Sequence, residues 1–190
     1  MNLIIFGPPG AGKGTQSKYI AKRFQLYQLS TGDLLRDEIK NDTELGSKIS
    51  STINSGGLVS DEIVGKLIEK FVSNEKFKNK IIFDGYPRNI SQAKSLDELL
   101  KKYNQKIDIV LKLSVSLETI KKRILDRQTQ EKRTDDREEI AVKRFETYEK
   151  STKPILEYYK KQNSIKEVNG EQKIEQINKE IGDIIELIEG

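Results

Sequence analysis

The chain of 190 residues contains no cysteine, no histidine and no tryptophan. Without thiols there is neither a disulfide nor a thiolate nucleophile, and without imidazole there is no histidine acid–base chemistry. The two commonest ligands of a structural zinc site are missing together, so no zinc is expected. Chemistry is left to lysine, arginine, carboxylates, hydroxyls, backbone amides and a bound hard cation. Long apolar runs are also lacking. Mean hydropathy is −0.65 and 34% of the residues are charged, and nothing approaches the roughly 20 apolar residues of a membrane span. Met1-Asn2 leads straight into the first apolar run, leaving no room for a basic leader and cleavage site, so the expectation is a cytoplasmic protein with no membrane partner. Nor is there a large excess of one charge. The 34 basic and 30 acidic residues give +4, interspersed along the chain with no aromatic-flanked basic stripe. Despite a pI near 9.0, this reads as a solvated surface and not as a nucleic-acid footprint. The length suits one α/β core with small insertions, expected as a monomer.

What the sequence does contain is alternation. Apolar runs at Leu3–Phe6, Leu26–Leu29, Ile81–Phe83, Ile107–Leu113 and Ile165–Val168 are separated by helical stretches. That pattern predicts an α/β fold with a parallel five-stranded sheet and helices on both faces. Near the C-terminus Ile174, Ile177, Ile181, Ile184 and Ile188 recur at steps of three and four, the stripe of a helix docked on the sheet. Two stretches break the alternation. Between Ser30 and Val59 two amphipathic helices are expected, ending at Ser55-Gly56-Gly57, as a helical insertion before a new helix at Ser60-Asp61. From Gln128 to Asp136 there is no apolar residue, which predicts a short exposed flap.

The most specific segment is Gly7-Pro8-Pro9-Gly10-Ala11-Gly12-Lys13-Gly14-Thr15, directly after the first apolar run. Glycines at 7, 10, 12 and 14 are expected to take positive φ and bring N–H groups close to a polyphosphate, at the N-terminus of a helix opening near Lys13. No carboxylate neighbours Lys13 in sequence, which leaves its ammonium for the β- and γ-phosphates. The usual pattern has Ser or Thr next; here Gly14 stands there and Thr15 follows. Asp84 ends a buried strand, where ligands meet an open α/β sheet, and is the expected water-mediated partner of Mg²⁺. Because Gly14 replaces the metal-binding hydroxyl, Mg²⁺ is expected to rest mainly on nucleotide phosphates, with Thr15 serving phosphate. Arg123, Arg127, Arg133 and Arg144 stand in or beside the flap, suited to charge spread over a phosphoryl group in flight. Asp135 and Asp136 read as a helix cap or as groups orienting those arginines.

Gly7–Thr15, Leu29-Ser30-Thr31-Gly32-Asp33-Leu34-Leu35-Arg36, Gly57-Leu58-Val59, Phe83-Asp84-Gly85-Tyr86-Pro87-Arg88 and Arg133-Thr134-Asp135-Asp136 occur in the order and spacing of adenylate kinases. The chain resembles that family along its whole length. The resemblance implies a P-loop core (1–29, 60–122, 137–190), an AMP-binding insertion (30–59) and a short lid (123–136). It also implies reversible phosphoryl transfer from MgATP to AMP, giving two ADP. By the matched motifs, Gly10, Ala11, Gly12, Lys13, Gly14 and Thr15 bind ATP, with Arg127 and a backbone contact at Gln172. AMP falls to Thr31, Arg36, Gly57, Leu58, Val59, Gly85, Tyr86, Pro87, Arg88, Gln92, Arg133 and Arg144. The implied catalytic set is Lys13, Arg88, Arg123, Arg127, Arg133 and Arg144. Thr31 and Gln92 resemble adenine readers, whereas similar UMP/CMP kinases show Ala and Asn there. That UMP/CMP-type activity is the nearest alternative. A GTP-binding switch is disfavoured by the missing Asn-Lys-x-Asp pattern, and a nucleotide-gated RNA-binding module has only the pI behind it.

Overall fold

The computed structural model describes residues 1–131, 138–162 and 165–189. Five parallel strands, β1 (Leu3–Phe6), β2 (Tyr27–Ser30), β3 (Ile81–Asp84), β4 (Ile109–Ser114) and β5 (Ile165–Asn169), lie in the order β2-β3-β1-β4-β5. The inner strands β1, β3 and β4 are largely apolar and buried on both faces because both are covered, whereas the edge strands β2 and β5 carry polar residues. Leu3, Ile5, Ile82, Ile109, Leu111 and Val168 point one way, onto helices α1 (Lys13–Phe24) and α8 (Ile174–Glu189). Ile4, Phe6, Leu29, Ile81, Phe83 and Val110 point the other way, onto α4 (Asp61–Val72), α5 (Ile90–Lys102) and α7 (Glu138–Lys160). After β1 the chain builds β2 and β3 on one side and then crosses to β4 on the other. The carboxyl edge of β1 is therefore a topological switch point, where a crevice opens.

The insertion consists of α2 (Thr31–Lys40) and α3 (Glu44–Asn54), both capped by hydroxyls: Ser30 accepts from the Asp33 N–H and Thr43 from the Gly46 N–H. A Cβ at Gly46 would lie 2.1 Å from the Glu38 carbonyl, so these two helices cross in direct backbone contact. Helix α6 (Leu117–Glu131) follows β4 and packs with α7 around Ile120, Ile124 and Ala141.

Three sequence expectations need correction. Residues 128–131, expected in the flap, continue helix α6, since a lack of apolar residues does not by itself end a helix; residues 132–136 of that stretch lie outside the described residues. In α8 the buried face is Ile177, Ile181 and Ile185, while Ile174 and Ile188 are exposed; a heptad step turns only about 20° about the axis, so their exposure follows from standing in the first and last turns of the helix. In the glycine-rich loop only Gly10 and Gly12 have positive φ, 84° and 95°. Gly7 is required by packing instead, its missing Cβ lying 3.0 Å from Ala11 Cβ and 3.2 Å from Leu113 Cβ.

Candidate active site

Three spaces meet above the carboxyl ends of β1 and β3. The first is walled by Gly10, Ala11, Gly12, Lys13, Gly14 and Thr15, with Asp84, Arg88, Arg123, Arg144 and Gln172 around it. The second, a narrow slot, is lined by Thr31, Leu35, Gly57, Leu58, Val59, Tyr86 and Gln92, and reaches Gly85 and Arg88. A connecting space between them is bordered by Lys13, Arg36, Gly56, Pro87, Arg88 and Arg144. Apart from Arg127 and Arg133, every predicted site residue lines one of these spaces. Arg127 lies on α6 but its side chain, like Arg133, Asp135 and Asp136, is outside the described residues.

The P-loop closes on itself before helix α1. The Ala11 N–H donates to the Pro8 carbonyl at 3.0 Å, and the Lys13 ammonium donates to the carbonyls of Gly7 (2.7 Å) and Pro8 (3.1 Å). Lysine thus sits over the concave face of the turn with its charge among backbone dipoles. Helix α6 lies against the outer face, where a Cβ at Gly10 would meet Ile124 at 3.0 Å and Ile120 at 3.3 Å. From the same helix Arg123 donates to the carbonyls of Ala11 (3.3 Å) and Gly170 (2.9 Å). One guanidinium therefore joins the P-loop to the β5–α8 loop.

Asp84 ends β3 at 7% exposure. Burial pushes its carboxyl above the usual range, the nearby negative charge of Asp33 adds to that, and Lys13, a hydrogen bond from Gln28 and Arg88 act against it. Gln28 Nε2 donates to it at 3.0 Å. A buried carboxylate facing a phosphate cradle, in a donor set made only of oxygens, fits a hard cation whose charge would offset that burial cost. Among the described residues no cluster of three or more His, Cys, Asp or Glu is placed to hold a metal alone.

In the second space Thr31 is 2% exposed and its hydroxyl donates to the Gly85 carbonyl at 2.9 Å. The Gln92 amide is held at both ends: Oε1 accepts from the Arg88 N–H at 2.7 Å and Nε2 donates to Asp61 at 2.8 Å. Arg88 Nε in turn donates to the Gly85 carbonyl at 2.7 Å. Tyr86, whose phenol burial pushes up to about 12, donates to the Gln92 carbonyl. Arg36 pairs with Asp33 one helical turn away. Asp61 and Gln28 are site residues that sequence reasoning missed. Asp61 reads in sequence only as the opening of a helix, and Gln28 has no local signal because its partner lies 56 positions away.

Gln172 borders the first space and its side-chain amide donates to Glu180 at 3.0 Å.

An adenylate kinase family model matches residues 5–164. The chain is 44% identical to an adenylate kinase of Pelagibacter ubique, with 98% of this chain and all of the relative covered. It is 40% identical to one from Fusobacterium nucleatum (97% and 98% covered) and 37% identical to one from Archaeoglobus fulgidus (99% of each). The first of these comparisons spans 213 positions against the 190 residues here, so that relative carries positions with no counterpart in this chain. With the glycine-rich loop, the arginine cluster and the full-length similarity in agreement, this chain belongs to the adenylate kinase family.

Proposed function

We propose that the protein transfers the terminal phosphoryl group of MgATP to AMP, reversibly, giving two ADP. The observation that carries this reading is the sharing of arginines. Arg36, Arg88 and Arg144 border both the P-loop space and the connecting space, which opens onto the Thr31–Gln92 slot. A phosphate chain running from one nucleotide to the other would pass through them. In this reading residues 30–59 carry the acceptor, 123–136 form a short lid and the remainder is the core. The acceptor is already an anionic phosphate oxygen, so no strong base is needed. Catalysis reduces to alignment, charge neutralisation and exclusion of water.

Lys13, Arg88, Arg123 and Arg144 supply positive charge around the transferred group, while Thr31 and Gln92 form the floor of the acceptor-base slot. Mg²⁺ would be held through water on Asp84 and by the nucleotide phosphates, and when bound it neutralises charge on the β- and γ-oxygens. Among the described residues no helix is long and apolar enough to cross a membrane, and a cytoplasmic setting is part of this reading. The protein is read as a monomer acting on ATP, AMP and ADP, with no nucleic-acid partner.

Initial rates with AMP, CMP, UMP and GMP at fixed MgATP test the proposal. AMP is expected to exceed each of the others at least tenfold in kcat/KM. A preference for CMP or UMP would move the assignment to pyrimidine monophosphates, and transfer to none of the four would end it.

A further inference from the structure

The N-terminus of α6 is completed by a residue far away in sequence. Ser116 precedes the helix, and its hydroxyl accepts from the Thr119 N–H at 3.3 Å. In a capping box the third helical residue is an acid that reaches back to the backbone N–H of the cap. Here that position is Thr119, and the acid comes from the β5–α8 loop. Glu171 Oε1 accepts from the Ser116 N–H at 2.6 Å, and Oε2 accepts from the Thr119 hydroxyl at 2.7 Å. The same carboxylate places negative charge at the positive end of the helix. It is held below the usual carboxylate range by the Ser116 N–H, then by Thr119, with Arg123 adding attraction.

Glu171 stands between the two donor-side residues of that loop. On one side Gly170 accepts from Arg123 and donates to the Ser114 carbonyl at 2.9 Å. Its missing Cβ would lie 2.5 Å from Val115 Cγ2, so the loop is pressed against the β4–α6 junction. On the other side is Gln172, tied back to α8.

We propose that Glu171 is a positioning residue for the donor nucleotide: by capping α6 from the β5–α8 loop it fixes the spacing between Arg123 and Gln172, which face the same space. The inference rests on the reading of that space as the ATP site. Glu171 touches no nucleotide in this account; it acts through the two walls.

The test compares Glu171→Ala, Glu171→Gln and Thr119→Val with the wild type, by steady-state kinetics and by calorimetric titration of ATP without acceptor. Glu171→Ala should raise the KM and Kd for ATP about tenfold and lower kcat severalfold through Arg123, while the KM for AMP changes less than twofold. Glu171→Gln keeps an oxygen for the Ser116 N–H and should recover most of the loss. Thr119→Val removes one of the two bonds and should fall between wild type and Glu171→Ala, which keeps the proposal testable if the alanine variant folds poorly. A lowered Tm with ATP affinity within twofold of wild type would assign Glu171 a stabilising role only and overturn the inference. A wild-type protein that fails to bind ATP would instead overturn the reading of the site.

Discussion

The two walls of the cleft are built differently. The donor wall is strapped to the core from several directions: Ile120 and Ile124 of α6 lie under Gly10, Arg123 bonds Ala11 and Gly170, and Glu171 caps α6. The acceptor wall is a pair of helices whose tightest contacts are with each other, at Gly46 against the Glu38 carbonyl. Its base is tied in by Thr31 on Gly85 and by Leu35 and Ile49 in the core. Its tip meets α7 through an exposed bond from Lys143 to the Ser55 carbonyl at 3.2 Å and through Gly56 beneath Ile140 and Arg144. Few buried contacts and exposed hydrogen bonds mark a part of low local stability. ATP would thus meet a preformed surface, whereas the AMP surface depends on a contact made across the cleft. Substitutions in the donor wall should strike the chemistry or ATP binding, and those in the acceptor wall should act through AMP.

The comparison breaks most sharply at Lys13, whose ammonium lies over the P-loop carbonyls of Gly7 and Pro8. Lys13→Met should lower kcat at least a hundredfold, roughly 2.7 kcal/mol or more in barrier, with circular dichroism unchanged because the loop turn retains its Ala11–Pro8 bond. Retention of a tenth of wild-type kcat would remove lysine from the centre of the site.

The acceptor slot should respond in specificity before rate. Gln92 is bonded to both Arg88 and Asp61, and Asn, one methylene shorter, cannot span that gap. Thr31→Ala also releases the Gly85 carbonyl. The double variant should reduce the AMP-to-CMP ratio of kcat/KM roughly thirtyfold, about 2 kcal/mol and within the range of a bidentate base contact. An unchanged ratio would mean that neither residue shapes the base slot.

How much of this was legible in the sequence follows from the range of the forces involved. The P-loop could be read because its chemistry is local: glycine backbone, lysine and a helix start within nine residues. The inner strands could be read because burial on both faces leaves uninterrupted apolar runs, and the edge strand β5 only weakly, through Ile165 and Val168. Of their polar ends only Asp84 was read. Polar Ser30 joins the sheet by pairing with Asp84, and Asn169 by pairing with Ser114. Ile107 stays outside β4, where the neighbouring Asp108 instead makes bonds with Asn2. Ile188, expected on the buried face of α8, is exposed and Ile185 is buried, because the three-four period marks a direction around the helix and not how far along it the core extends. Glu171 was invisible for another reason: its partners are 52 and 55 positions away, and nothing in a local pattern distinguishes it from a solvated glutamate.

The weakest-tied part of the acceptor wall gives the smallest and most discriminating effect. Gly56 sits at φ +73°, and a Cβ there would lie 2.9 Å from Ile140 Cγ2 and 3.0 Å from Arg144 Cγ. Gly56→Ala therefore faces two separate costs, the left-handed backbone, about 1–2 kcal/mol, and the crowding against α7. The neighbouring Ile140 and Arg144 side chains can shift, so the backbone cost should dominate and raise the KM for AMP about tenfold, with the KM for ATP within twofold. Ile140→Ala in the same chain clears the closest obstruction but leaves φ as it is. A double-mutant cycle separates the two: little recovery is expected if backbone conformation controls docking of the tip, and near-complete recovery would show that crowding does. If Gly56→Ala instead raised the KM for both nucleotides equally, the walls would be coupled, and the division between a preformed donor surface and an assembled acceptor surface would fall.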